Sequence, residues 1–147
     1  MANAGTHVFR MSLNPKLYRE IEIASDNMLS DLALSIIRSF EFDFDHPYGF
    51  YSLLKGNILR SPVKYELFAD IAETRDDSEA GSVERTRICD VFRKTGRKMT
   101  FLFDYGDNWE FLVELIGQNA KGREANYPKV LKKVGKAPEQ YPGAEEE

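Results

Sequence analysis

The sequence predicts an α+β fold, in which one main amphipathic helix packs on a twisted antiparallel β-sheet built from hairpins. Residues 100–105 and 109–116 alternate between two faces on either side of a short Gly/Asp/Asn segment, as expected for a β-hairpin. Residues 6–13 and 17–23 alternate in the same manner and predict a second antiparallel pair. Residues 29–40 carry apolar side chains at i, i+3, i+4 and i+7, which is the spacing of one helical face.

The predicted hairpin contains the only tryptophan of the chain and its densest run of aromatic and β-branched side chains. Gly106 or Asn108 is expected to adopt the left-handed conformation that such a turn usually needs. Residues of alternating parity are expected to give the hairpin an aromatic face: Phe101, Phe103, Tyr105, Trp109, Phe111, Val113 and Leu115.

Two polar side chains occupy positions of the N-terminal strands whose side chains are predicted to point into the core. His7 has apolar neighbours of the same parity, so we expect it to be packed or to lie at an edge. Arg19 alternates with Leu17 and Ile21, and we expect it to lie near an edge or to reach solvent with its long stem.

The main helix is expected to begin after Ser25, Asp26 and Asn27, whose side chains can accept hydrogen bonds from the free N–H groups of a first turn. Its apolar stripe must cover another element, and the aromatic face of the hairpin is the expected partner. The stripe consists of Leu29, Leu32, Ala33, Ile36, Ile37 and Phe40.

The remaining segments are less regular. Strands are predicted at 50–55 and around 63–68, and one or two helical turns at 88–92. Residues 70–87 are mostly polar and predict a surface loop, whereas the C-terminal tail at about 136–147 is expected to be mobile. The apolar residues expected to dock on the body ahead of that tail are Val130, Leu131 and Val134.

Composition, with 42% hydrophobic and 30% charged residues, is typical of a globular protein and predicts one domain over residues 1–147. A net charge of −4 argues against whole-surface binding to nucleic acid, because phosphate contacts supply most non-specific affinity. No apolar run has the length of a membrane span, and no secretory signal is expected. The single cysteine, Cys89, fits a reducing compartment, so a cytoplasmic location is predicted.

Acidic residues at the predicted turn form the first candidate site. Asp104, Asp107 and Glu110 carry the hard oxygen ligands that Mg²⁺, Mn²⁺ or Ca²⁺ prefer, and His46 is a candidate base or ligand. Such a set would suit a divalent-metal-dependent phosphodiesterase. The alternative, favoured by the frequency of aspartate in turns, is that Asp104 and Asp107 accept backbone N–H groups and build the turn. No Gly-rich phosphate motif occurs, so no cofactor is predicted.

A basic segment at 121–136 and the aromatic side chains of the hairpin form the second candidate site. The basic segment can meet an anionic partner, and the aromatic rings can stack on bases, as in single-strand binders. Core packing explains the aromatic residues better, because buried rings dominate the energetics of protein cores. The binding candidates are Trp109, Tyr105, Arg19, Lys132 and Lys133.

The chain resembles the plasmid pRiA4b ORF-3-like family, which is founded on open reading frame three of an Agrobacterium Ri plasmid. The segment D-Y-G-D-N-W-E at 104–110 is similar to the family hallmark Asp-aromatic-Gly-Asp-x-Trp-Glu. Tyr18-Arg19 stands where a Trp-Arg pair is usual, and His46 with Phe50 is similar to a His-x-x-x-Phe spacing. The other similarities along the chain are Leu29 and Leu32 on the helix, Tyr127-Pro128 and Ala137-Pro138-Glu139.

This resemblance implies an α+β fold with an antiparallel sheet and no established activity. The departures from the family pattern remove histidines and cysteines: Phe111 and Ala33 stand in place of histidines, and C-terminal cysteines are missing. The predicted function is therefore a non-enzymatic binding or interaction module with a protein or nucleic-acid partner. The alternatives are a nucleic-acid-associated mobile-element protein and the metal-dependent phosphodiesterase. No stretch specifies an oligomeric state.

Overall fold

The computed structural model describes residues 5–67, 80–120 and 127–141. Eight strands and two helices follow one another along these ranges. The strands are β1 Thr6–Asn14, β2 Leu17–Ala24, β3 Tyr48–Tyr51, β4 Lys64–Glu66, β5 Gly81–Ser82, β6 Lys98–Phe103, β7 Trp109–Asn119 and β8 Lys129–Val134. The helices are α1 Leu29–Ser39 and α2 Ile88–Val91, and a 3₁₀ turn spans Ile58–Arg60.

One open sheet contains all eight described strands in the order β5-β4-β3-β6-β7-β1-β2-β8. Neighbouring strands pair antiparallel except for the short parallel pair β4–β5. The fold class predicted from the sequence is confirmed, and the predicted pairs β6–β7 and β1–β2 lie next to each other in the sheet. Within the described ranges, neither helix has the length and apolar character of a membrane span.

The apolar stripe of α1 covers the aromatic face of β6 and β7, as predicted. At the end of this helix, the Phe40 ring centroid lies 5.0 Å from that of Phe111. Phe111 in turn lies 5.8 Å from Phe101 on the paired strand. Each fully buried aromatic ring of this kind contributes about 1.5–3 kcal/mol to stability. The other fully buried members of this core include Phe9, Met11, Ile23, Leu29, Leu32, Ile36, Ile37 and Val113.

Helix α1 begins with a cap that differs from the predicted one. The carboxylate of Asp31, inside the first turn, accepts the backbone N–H of Met28 at 2.9 Å. None of the three predicted capping side chains is bonded there, and the hydroxyl of Ser25 bonds instead to the ring of His7. An acidic group in the first turn also interacts favourably with the helix dipole.

The hairpin register pairs Phe101 with Phe111 and Phe103 with Trp109, as the alternation predicts. Left-handed backbone occurs at Asp104 (φ 68°) and Asn108 (φ 55°), so the prediction of Gly106 or Asn108 is met by Asn108. Because the backbone turns at Asp104, the side chain of the next residue leaves the aromatic face. Tyr105 packs instead with Tyr51 and Leu102, and its hydroxyl lies 2.9 Å from that of Tyr51.

Two other segments differ from their predicted structure. Strand β3 occupies Tyr48–Tyr51 rather than 50–55, and it pairs with β6 from its first residue. The segment that was expected only to dock on the body forms strand β8, whose Val130 and Leu131 stay 45% and 46% exposed. Residues 70–79 of the predicted loop and 142–147 of the predicted tail lie outside the described residues.

Arg19 does not reach solvent, so that expectation is wrong, since the residue is only 2% exposed. Its strand β2 lies next to the edge strand β8, as the alternative expectation of a position near an edge has it. The guanidinium Nε donates to the carbonyl of Ser39 at the end of α1. Its Nη1 donates to the carbonyls of Tyr18, Val134 and Gly135. Burial lowers the pKa of Arg19, but a guanidinium stays charged at physiological pH.

His7 links three parts of the core and is packed, as predicted. Its Nδ1 lies 2.7 Å from the hydroxyl of Ser25, and its Nε2 lies 2.9 Å from the carbonyl of Phe92. A carbonyl only accepts, so Nε2 carries the proton and Nδ1 is the acceptor of the neutral ring. Burial lowers the pKa of His7, although the hydrogen bond to Phe92 opposes this effect.

This lowered pKa predicts a loss of stability on acidification. The unfolded chain takes up a proton near pH 6.5, whereas the folded ring resists it, so stability is complete above that pH and falls below it. We expect the free energy of unfolding to fall between pH 7 and pH 5.5 through His7. In urea denaturation at both pH values, His7→Gln, which does not titrate, should reduce that pH dependence. An unchanged pH dependence in the variant would contradict this account.

Candidate functional site

The hallmark segment 104–110 meets two distant parts of the chain at one end of the sheet. The backbone N–H of Asp104 donates to the carbonyl of Pro47, which joins the hairpin turn to the loop after α1. The side chain of Gln140 holds Asp43 in that loop from both sides. Its Oε1 accepts the Asp43 N–H at 2.7 Å, and its Nε2 donates to the Asp43 carbonyl at 3.0 Å. The loop, the turn and the C-terminal segment therefore form one surface.

Asp104 builds the hairpin turn, as the structural alternative predicts. Its Oδ1 accepts the backbone N–H groups of Gly106 and Asp107 at 3.1 Å and 3.3 Å. Its side chain is 8% exposed, whereas Asp107 and Glu110 are exposed residues. The short side chain of aspartate supports left-handed backbone at this position by such local hydrogen bonds.

His46 lies between two carboxylates. Its Nδ1 is 2.6 Å from Asp45 Oδ1, and its Nε2 is 3.6 Å from Asp104 Oδ2. The second distance is longer than a hydrogen bond, so His46 is held by Asp45 and only faces Asp104. The hydroxyl of Tyr141 donates to the other oxygen of Asp45 at 2.8 Å. This arrangement connects the loop to the C-terminal segment a second time.

The pKa values around Asp45 follow from these bonds. Burial acts to raise the pKa of Asp45, but the hydrogen bonds from Tyr141 and His46 outweigh it and lower that pKa below its ordinary value. Burial and the bond to Asp45 raise the pKa of Tyr141 to about 12, so its hydroxyl stays protonated and able to donate at neutral pH. Both ring nitrogens of His46 face carboxylates, so neither is directed at an open reaction site.

The predicted metal site is not assembled in the described part of the chain. No three His, Cys, Asp or Glu side chains come together there as a group that would hold a metal ion. Asp104 uses one carboxylate oxygen for the turn, while Asp107 and Glu110 are exposed. The described geometry therefore gives no support to the phosphodiesterase alternative.

Trp109 lies at the centre of the surface. Its ring packs edge-on against Phe42, with centroids 4.8 Å apart. Its indole Nε1 is buried and has no hydrogen-bond partner among the described residues. A buried N–H without an acceptor costs about 1–3 kcal/mol, and such unpaired groups are rare in native proteins.

Two adjoining depressions open beside Trp109. The first, of about 440 Å³, is lined by Asp107, Asn108, Trp109, Gln140 and Tyr141. The second, of about 290 Å³, shares Gln140 and Tyr141 and adds a mostly acidic rim. Among the described residues, neither lining contains a lysine or an arginine. The rim of the second depression consists of Glu41, Asp43, Ala137, Pro138 and Glu139.

Several of these residues were missed by sequence reasoning. Asp43 and Gln140 are 97 positions apart, and no local pattern connects them. The available signal was Pro47 and Gly49, which interrupt the alternating acidic and aromatic residues at 41–45 and indicate a loop there. Within the predicted set, the structure brings Asp104, Asp107, Trp109 and His46 to this end of the sheet.

The predicted nucleic-acid surface is divided by the fold. Lys132 and Lys133 lie on edge strand β8, which is three strands away from β7 and Trp109. The depression beside Trp109 is lined by a carboxylate and not by these cations. Tyr105 lies with Tyr51 in a separate cluster. The described geometry therefore does not bring the predicted stacking rings, Trp109 and Tyr105, beside Lys132 and Lys133.

The fold and the site define a class of α+β protein, in which one helix covers an open sheet and a hairpin turn contacts the acidic loop between α1 and β3. The chain belongs to the plasmid pRiA4b ORF-3-like protein family, whose sequence profile matches residues 7–146. A crystal structure of a protein of unknown function from Methanosarcina mazei Go1 is similar in fold, with a TM-score of 0.69 and 18% identity. The match covers 88% of this chain and 69% of that chain. No curated protein matches the sequence.

Proposed function

We propose that this protein is a non-enzymatic interaction module that binds a lysine-rich, extended segment of a partner protein. The binding surface is the acidic–aromatic surface, which we define as the two depressions that share Gln140 and Tyr141. The observation that carries the proposal is the composition of this surface. Carboxylates and aromatic rings line it, and no lysine or arginine does so among the described residues. The carboxylates are those of Glu41, Asp43, Asp107 and Glu139.

A cationic side chain is the ligand that matches such a lining. Ammonium groups are attracted to carboxylates and also to the faces of tryptophan and tyrosine rings, by about 0.5–1 kcal/mol at exposed sites. Trp109 and Tyr141 provide these rings in the first depression, beside the carboxylate of Asp107. The side-chain amides of Asn108 and Gln140 add donors and acceptors that suit a peptide backbone. Complementary charge of this kind contributes mainly to selectivity and to the rate of association.

An extended segment fits better than a small cation. The two depressions lie side by side, and together they offer several separate contacts to a long ligand. Each depression alone is open to solvent and would hold a small cation weakly. A single exposed ion pair contributes only about 0–1 kcal/mol, so useful affinity requires several of them at once.

The only cysteine, Cys89, is free, so a reducing compartment such as the cytoplasm is the expected setting.

Titration with pentalysine, followed through the fluorescence of the only tryptophan, tests the proposal. Pentalysine should change the signal of Trp109 and should bind less tightly as salt is added, because exposed charges are screened. Pentaglutamate should leave the signal unchanged. The double variant Asp107→Asn, Glu139→Gln should weaken binding about three- to tenfold.

The double variant Glu84→Gln, Asp90→Asn is the charge-matched control, since both residues are exposed acids that do not line either depression. It should bind pentalysine as the unmodified protein does. Equal affinity of the Asp107→Asn, Glu139→Gln variant and the control would overturn the proposal, because binding would then depend only on the overall negative charge.

A further inference from the structure

We infer that the protein has a second docking surface, at the β8 edge of the sheet, which binds an extended acidic segment of a partner protein as an added strand. We call this surface the β8 groove. It is a cavity of about 420 Å³ between α1 and the edge strand β8. The lining residues that carry the inference are Ile21, Leu34, Arg38, Lys129, Val130 and Lys133.

The shape of the groove follows from the position of α1. The helix covers the central strands, so its outer side and the edge strand leave a channel between them. Ile21 on β2 and Val130 on β8 are register partners and form an apolar floor. Val130 is 45% exposed, although its partner Ile21 is 1% exposed. An apolar side chain arriving beside Val130 would therefore bury surface on both partners.

The backbone of β8 offers the second component of recognition. It is the last strand in the sheet order, and in the described part of the chain no strand pairs with its outer side. Such an edge carries N–H and C=O groups in the pattern that accepts another strand. Peptides that add a strand to an edge gain affinity from these main-chain bonds and specificity from alternate side chains.

Charge selects the occupant. The groove is lined by Arg38, Lys129 and Lys133 against one acid, Asp31. Lys129 lies opposite Glu22 of β2, whereas Arg38 and Lys133 have no ion pair among the described residues. Acidic residues on an incoming strand would lie beside them. Opposite charges on neighbouring strands contribute about 0.2–1 kcal/mol per pair.

The same charges disfavour two other occupants. A second copy of the chain pairing through β8 would bring together two strands that each carry three lysines, Lys129, Lys132 and Lys133, and like charges on neighbouring strands are destabilising. A nucleic acid would meet the cations but would gain nothing from the apolar floor or from the strand edge. An acidic strand with alternating apolar residues uses all three features.

A labelled peptide of the sequence acetyl-Glu-Val-Glu-Val-Glu-Val-Glu-amide is the probe, with binding measured by fluorescence anisotropy. We expect saturable binding that is about two- to thirtyfold weaker for Arg38→Gln, Lys133→Gln, two exposed positions whose replacement adds no like-charge repulsion. Lys94→Gln, Lys98→Gln, at two exposed positions outside the groove, is the charge-matched control and should bind normally. Thermal unfolding of each variant confirms that the fold is retained.

Two further probes identify the mode of binding. The same peptide with N-methyl groups on alternate residues keeps its charge but cannot form the strand ladder, so it should bind at least tenfold more weakly. A single-stranded oligonucleotide should not displace the probe. Equal binding of the methylated peptide, displacement by the oligonucleotide, or dimer formation that competes with the probe would each overturn the inference. The Asp107→Asn, Glu139→Gln variant should bind this acidic probe normally. A negative result for the β8 groove can therefore be distinguished from a negative result for the acidic–aromatic surface.

Discussion

Replacing Arg19 with methionine should lower the free energy of unfolding by about 3 kcal/mol or more. The guanidinium is buried and donates to four backbone carbonyls, and each buried acceptor left unpaired costs about 1–3 kcal/mol. Three of its bonds reach the end of α1 and the end of β8, at Ser39, Val134 and Gly135. The variant should therefore loosen the helix end and the edge strand together. Urea denaturation measures the loss.

Arg10→Met is a closely matched control for this prediction. Both arginines have the guanidinium carbon 4.7 Å from the centroid of an aromatic ring, Tyr18 for Arg10 and Phe40 for Arg19. Arg10 differs in being exposed, with 40% of its side chain accessible and one surface ion pair to Glu20. Such a pair contributes about 0–1 kcal/mol. Similar losses for the two variants would contradict the assignment of a structural role to the buried donors of Arg19.

Replacing Phe111 with alanine should cost about 3–5 kcal/mol, the usual range for removing a buried aromatic ring. Phe111 is fully buried, and its ring contacts those of Phe40, Phe42 and Phe101. It therefore joins the helix end, the acidic loop and the hairpin. Chemical denaturation, with the near-ultraviolet circular dichroism of the aromatic residues as a second probe, measures the effect.

Phe44→Ala provides the comparison, because Phe44 is an aromatic residue of the loop between α1 and β3 and is 39% exposed. Its replacement should cost much less than that of Phe111, about 1 kcal/mol or below. If Phe111→Ala were no more harmful than Phe44→Ala, the packing of the hairpin against α1 would not be the main source of stability at this end.

Local periodicity explains why much of the fold was predictable. The alternation in β1, β2, β6 and β7 and the helical spacing in α1 each record which side of an element is buried. Aromatic residues such as Phe101 and Phe111 appear on the predicted face because their strands are regular. The same reasoning indicated that His7 would be packed, since its neighbours of the same parity are apolar.

The predictions that were wrong concern segments with irregular backbone and residues that meet partners far away in the sequence. Strand β8 has no simple alternation, because its register with β2 shifts between Glu20 and Ile21. Arg19 was misjudged for the same reason, since nothing local shows that β8 covers the side of β2. Tyr105 does not lie on the predicted aromatic face, because left-handed backbone at Asp104 interrupts the alternation of side chains between the two faces. The acidic–aromatic surface depends on contacts nearly a hundred residues apart, which no local pattern contains.

The acidic–aromatic surface is tested most directly by the ¹H–¹⁵N resonance of the Trp109 indole during titration with pentalysine. The chain has one tryptophan, so this resonance reports on that position alone, and its N–H has no protein acceptor among the described residues. Our account predicts that the resonance shifts in step with the side-chain amides of Asn108 and Gln140, and that Asp107→Asn, Glu139→Gln reduces the shift. An indole resonance that stays still while pentalysine perturbs other surfaces would contradict the proposed function.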